Sequence, residues 1–124
     1  MKSYYIYVYL DPRKPGKYVY DELIFEYEPI YIGKGIKNRI NSHLRRNDIH
    51  PFVNKLKKII SYNLEPIRYK ILDNLEEEKA YELEKNIIKI IGRTDLGFGP
   101  LLNLTDGGSI YDGTVRSRKK KKKA

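Results

Sequence analysis

Glu84 stands where a helix pattern calls for an apolar residue. It lies four residues after Ala80 and four before Ile88, with Ile87 and Ile91 extending the stripe, which is the spacing of one helix face. A carboxylate facing a core is costly unless it is paired or binds a cation. Two readings follow: an edge residue bonded to a lysine or to backbone, or a metal ligand. Arg39 and His43 are also four apart and share a face about 100° round from the apolar stripe Ile36, Ile40 and Leu44. A guanidinium gives an oxyanion two parallel donors, and an imidazole moves a proton near neutral pH. Their neighbourhood fits a phosphate, or else an ordinary surface pair. Tyr7 and Tyr31 fall on the non-aliphatic faces of two strand-patterned segments, which would bring their hydroxyls side by side if the strands pair. Asn103 precedes Gly107 and Gly108, a setting for an Asx turn. His50, beside Pro51, is an outside candidate.

The elements that must position these residues are readable from periodicity. Residues 4–10 alternate, with Ile6, Val8 and Leu10 on one face and Tyr5, Tyr7 and Tyr9 on the other, which predicts a strand. Asp11-Pro12 should end it, Pro15-Gly16 should turn, and residues 17–28 should form an extra hairpin or a long loop. Ile30 to Ile32 predict a second strand stopping at Gly33, followed by a tight exit through Lys34-Gly35 into the helix of Ile36, Ile40 and Leu44. A second helix carries Phe52, Leu56, Ile59 and Ile60 on one face. Pro66 opens a third strand over 67–72. Asp73 or Asn74 then caps a long helix, each with a glutamate three residues on, and Gly92 stops it. From Thr94 to Asp112 the chain reads as an ordered loop. Tyr5, Tyr9, Tyr18, Tyr20 and Tyr27 read as ordinary packing tyrosines.

Length and charge narrow the classes. The chain has 124 residues, enough for one domain with a short tail, 40% of them hydrophobic, and it has no cysteine. That excludes disulfides, thiol catalysis and Cys-bound zinc. No apolar run reaches the roughly 20 residues of a membrane helix. The N-terminus lacks the apolar block of a secretory leader, so an intracellular location is expected, nuclear if Lys119 to Lys123 act as a targeting signal. Of the net charge of +9, seven positive charges sit in residues 116–123, leaving 18 basic residues against 16 acidic ones. Residues 34–58 carry eight positive charges against Asp48 alone. Such a band suits a polyanion, or else forms a solvated face. Its members Lys34, Lys37, Arg45, Arg46, Lys55 and Lys58, with Lys119 and Lys120 of the tail, are the candidate nucleic-acid contacts.

Taken together, these residues resemble the GIY-YIG nuclease superfamily. Tyr5-Ile6-Tyr7 matches the first motif and Tyr31-Ile32-Gly33 the second, followed in order by Arg39, His43, Glu84 and Asn103. The resemblance spans residues 4–108; Tyr5 stands in place of the family's first glycine, and 24 residues separate Tyr7 from Tyr31. Reading the first motif as Tyr7-Val8-Tyr9 would instead make Tyr9 the catalytic tyrosine; Tyr7 is preferred because Tyr31 shares its strand phase.

The resemblance implies an α/β fold with a small three-stranded antiparallel sheet flanked by helices, in the order β-β-α-α-β-α, over residues 1–112, with a basic tail over 113–124. It also implies a metal-dependent DNA endonuclease. Glu84 would hold Mg²⁺ or Mn²⁺, and Arg39 would clamp the scissile phosphate. Tyr7 would be the base or position the water, with Tyr31 and His43 beside it; either Tyr7 or His43 takes the proton. Asn103 would hold the site together. Double-stranded DNA is the expected partner, with RNA left open, and specificity would come from residues 13–28, a homodimer or a partner protein. The competing class is a non-catalytic nucleic-acid-binding protein of the same fold.

Overall fold

The chain forms β1 (Tyr4–Tyr20), β2 (Leu23–Gly35), α1 (Arg39–Ser42) running into a 3₁₀ turn (His43–Arg45), α2 (Pro51–Ser61), β3 (Ile67–Leu75) and α3 (Glu77–Ile91), with a last 3₁₀ turn at Thr94–Leu96. The strands make one antiparallel sheet in the order β2-β1-β3. This is the expected α/β architecture. The computed structural model describes residues 3–107; Gly108, the boundary at 112 and the basic run with Lys119 and Lys120 lie outside the described residues. Among the described residues, no helix is long and apolar enough to cross a membrane.

β1 is central, and Tyr5 to Asp11 are all buried. Its aliphatic face, Ile6, Val8 and Leu10, packs on Ala80, Ile87, Ile88 and Ile91 of α3. Its tyrosine face, Tyr5, Tyr7 and Tyr9, packs with Ile30 and with Phe52, Leu56 and Ile59 of α2. Burying one such aliphatic side chain contributes roughly 1.5–3 kcal/mol, so a strand covered on both faces anchors the domain. The alternation in residues 4–10 thus separates two cores rather than a core from solvent.

Several boundaries differ from expectation. β1 does not end at Asp11-Pro12. The pairing with β2 shifts register between Asp11 and Pro15, and that irregular stretch accommodates a proline that has no N–H for the ladder. The chain turns at Asp21-Glu22, with Asp21 at φ 54, and not at Pro15-Gly16. Residues 13–28 are therefore the distal part of one long hairpin. β3 runs on through Asp73 and Asn74, so neither caps α3; Glu76 precedes the helix without a side-chain cap. Asp73 instead accepts from the Asn74 N–H, and Asn74 takes φ 59. On α2, Val53 completes the buried face and Ile60 is exposed. Gly92 ends α3 as expected, at φ 102.

α1 is a single turn instead of a helix from Ile36 to Leu44. Lys37 takes φ 52, which interrupts any helix there, and Ile36 is exposed. Tyrosine hydroxyls replace the missing helical bonds. Tyr5 Oη donates to the Lys37 carbonyl at 2.8 Å and accepts from the Ile40 N–H at 2.9 Å. Tyr9 Oη donates to the Ile40 carbonyl. Two tyrosines assigned to plain packing therefore hold the segment that carries Arg39.

Candidate active site

A cavity of about 460 Å³ opens where β1, β2, α3 and the loop after α3 meet. Tyr7, Tyr31, Arg39, Glu84 and Asn103 all line it, together with Gly33, Lys34, Gly35, Glu77 and Gly107. Five of the six expected catalytic residues thus share one space. His43 is 2% exposed and stands behind Tyr7. The expected shared presentation of Arg39 and His43 to one phosphate is not what the fold builds, because α1 gives way to a 3₁₀ turn at His43 and rotates the ring inward.

Two glycines open the space. Tyr7 pairs directly across the ladder with Gly33. A Cβ at Gly33 would lie 2.3 Å from Tyr7 Oη, so the phenol can fold over this position only because no side chain is there. A Cβ at Gly35 would lie 2.7 Å from Arg39 Cβ. Glycine at the end of β2 therefore reflects close approach, not merely the end of a strand.

The proton on His43 is assigned from the hydrogen-bond network. Arg46 Nη1 lies 3.0 Å from His43 Nδ1, and Tyr7 Oη lies 2.6 Å from Nε2. A guanidinium only donates, so Nδ1 accepts and the proton of the neutral ring is on Nε2. That N–H donates to Tyr7 Oη, and the phenol's own proton is left to point elsewhere. Burial, then Arg39 and Arg46, lower the His43 pKa to about 3, so the ring is neutral at physiological pH. Arg46 also binds Asp48, through Nε at 2.8 Å and Nη2 at 2.5 Å, which fixes the guanidinium against the imidazole. Tyr31 stacks on Phe52 with ring centroids 4.1 Å apart.

Both phenols stay protonated in this environment. Burial, followed by Tyr31, raises Tyr7 well above its ordinary value; Arg39 lowers it by less. Burial and the Glu84 carboxylate raise Tyr31 to about 12. Added positive charge in the cavity is what would bring either phenol down.

Glu84 is 5% exposed on the α3 face that also buries Ala80, Ile87 and Ile88, where the spacing places it. Asn103 is likewise buried. Its Oδ1 accepts from the Ile32 N–H at 3.1 Å and its Nδ2 donates to the Ile32 carbonyl at 2.8 Å. The side chain thus pairs with β2 as a strand residue would, bringing the following loop in until a Cβ at Gly107 would lie 3.3 Å from Glu84 Oε1. Gly107, at φ 138, is a site residue that the pattern of glycines alone did not single out.

No group of three or more His, Asp or Glu side chains gathers among the described residues. Glu77, the other carboxylate of the cavity, lies toward the rim and pairs with Lys34 at 3.7 Å. The donor set at Glu84 is compatible with a hard dication that keeps most of its positions for water or phosphate oxygens. Lys37, Arg45 and Lys58 are exposed and Lys55 half-buried. His50 is not at the cavity; it caps α2, with Nδ1 accepting from the Phe52 N–H at 3.1 Å. Comparison of the chain with protein-family models, curated proteins and solved structures finds no match.

Proposed function

We propose that this chain is a divalent-metal-dependent endonuclease of the GIY-YIG type, hydrolysing phosphodiester bonds of DNA. The observation that carries the reading is the convergence of Tyr7, Tyr31, Arg39 and Glu84, drawn from four separate elements, on one cavity. A binding module has no use for a buried carboxylate that shares a cavity with an exposed arginine, a buried phenol and a half-buried one.

Each residue has a task in hydrolysis. Arg39, free of the core at its tip, binds a non-bridging oxygen of the scissile phosphate and offsets the charge that grows there. Tyr7 directs the attacking water toward phosphorus; positive charge gained by the cavity releases the phenol's own proton to solvent, and the resulting phenolate takes the proton of the water. His43 supports that step by donating Nε2–H to the same oxygen, so it is a positioning residue and not the base. Its ring has no lone pair left for water once Arg46 occupies Nδ1. Tyr31 donates to a phosphate oxygen from its stacked position on Phe52. Glu84 would hold Mg²⁺ or Mn²⁺, which when bound supplies charge stabilisation at the leaving 3′ oxygen. Relaxation of supercoiled plasmid in the presence and absence of Mg²⁺ tests the reading; metal-independent or absent cleavage of DNA would overturn it.

A further inference from the structure

We infer that the groove between α2 and the start of the distal part of the β1–β2 hairpin seats the phosphate backbone of a nucleic-acid strand flanking the cut, a proposal that rests on the nuclease reading. Two adjoining hollows, of about 520 and 360 Å³, share Arg13 and Lys55 and together form this groove. Lys14 and Tyr62 line one and Lys58 and Leu102 the other, and among the described residues no acidic side chain lines either. Four cations over a continuous hollow are complementary to a row of phosphates.

The groove is built and not incidental. Asp11 is fully buried, and it accepts three hydrogen bonds from Arg13: the backbone N–H at 2.9 Å, Nε at 3.0 Å and Nη2 at 2.9 Å. The carboxylate fixes the guanidinium in the groove, over the Tyr62 ring at 5.7 Å. Because Asp11 offsets Arg13 and Glu28 lies 3.5 Å from Lys14, the net attraction falls on Lys55 and Lys58. Tyr62 is 57% exposed, leaving apolar ring surface for a sugar or base. Consecutive residues connect the groove to the catalytic cavity. Leu102 lines the groove, its N–H donates to the Ile30 carbonyl at 2.8 Å, and the next residue, Asn103, lines the cavity. A strand leaving the cavity along this wall meets the four cations next.

The test is the salt dependence of binding of the full chain to a fluorescent duplex oligonucleotide. Lys55→Gln/Lys58→Gln is compared with wild type and with Lys79→Gln/Lys89→Gln, which removes the same charge from α3 on the opposite side of the sheet. The groove variant should bind at least about 10-fold more weakly at low salt, with the slope of log K against log salt reduced by about 2, close to one per lost phosphate contact. The α3 variant should keep the wild-type slope. Lys58→Gln alone, at an exposed position, should lower the slope by about 1 and covers the case in which the double variant misfolds. Equal slopes for groove and α3 variants would overturn the groove and leave the nuclease reading intact. Tighter binding of a poly-glutamate peptide than of DNA would also overturn it, and a wild-type chain that binds no nucleic acid would overturn both.

Discussion

Tyr7 Oη accepts a hydrogen bond from His43 Nε2 across 2.6 Å, and Arg46 occupies the other ring nitrogen. The imidazole is thereby locked as a neutral donor beneath the phenol. A chain of three side chains, from β1, the 3₁₀ turn and the residue that ends that turn, orients one oxygen at the cavity wall. This arrangement makes His43 a support for Tyr7, and it has consequences that can be measured.

The first concerns pH and stability. An unfolded histidine titrates near 6.5, whereas buried His43 titrates at about 3. Above pH 6.5 the ring is neutral in both states and adds no pH dependence. As pH falls below that, the unfolded chain gains a proton the folded chain refuses, and stability drops by about 1.4 kcal/mol per pH unit. Between pH 7 and 5, urea unfolding of wild type should therefore lose about 2 kcal/mol more than unfolding of His43→Gln. Equal losses would contradict the neutral, buried ring.

The second concerns the glycine under Tyr7. Gly33→Ala places a Cβ where the ring now lies, 2.3 Å from Oη, so the phenol must swing away. DNA cleavage should fall at least about 100-fold, on the scale of losing a positioned catalytic group, while the chain still folds and binds DNA. Activity within a few fold of wild type would show that Tyr7 has no fixed role.

The third concerns Asn103. Asn103→Ala leaves the Ile32 N–H and carbonyl without their buried partners, which should cost about 2–4 kcal/mol by thermal or urea denaturation. Asn103→Asp keeps the acceptor but sets a carboxylate oxygen against the Ile32 carbonyl, and should cost at least as much at neutral pH. A negligible loss for the alanine variant would mean that the loop carrying Gly107 is held by other contacts.

The fourth concerns the tyrosines on either side of Tyr7. Tyr5→Phe removes an acceptor for the Ile40 N–H and a donor to the Lys37 carbonyl without changing ring packing. Stability should fall by about 1–2 kcal/mol, and cleavage should fall more than DNA binding, because the turn bearing Arg39 loosens. Parallel loss of binding and cleavage would place Arg39 in ground-state contact only.

Much of this was legible in the residues themselves. The order of elements follows from periodicity, and Glu84 is found by its i and i+4 neighbours, because burial on a helix face is a local property. Asn103 is legible as a hydrogen-bonding residue, but not that its partner is Ile32, 71 positions away. The roles of Tyr5 and Tyr9 were missed for the same reason: their hydroxyls bond to backbone more than 30 positions away, and nothing local distinguishes them from packing tyrosines. The length of β1 is not legible because proline ordinarily ends a strand, whereas here an irregular stretch of the ladder absorbs it. The helix expected after Gly35 failed because tertiary hydroxyl bonds took over its backbone groups.

The most direct measurement compares plasmid nicking by wild type, Glu84→Gln and Arg39→Ala, with Mg²⁺, at protein concentrations that give equal DNA occupancy. Wild type should nick only with the metal. Both variants should bind and leave the plasmid supercoiled, at least about 100-fold below wild type. Nicking by Glu84→Gln at the wild-type rate, or a wild type that binds DNA and cuts with no divalent metal supplied, would contradict the assignment of this cavity as the catalytic centre.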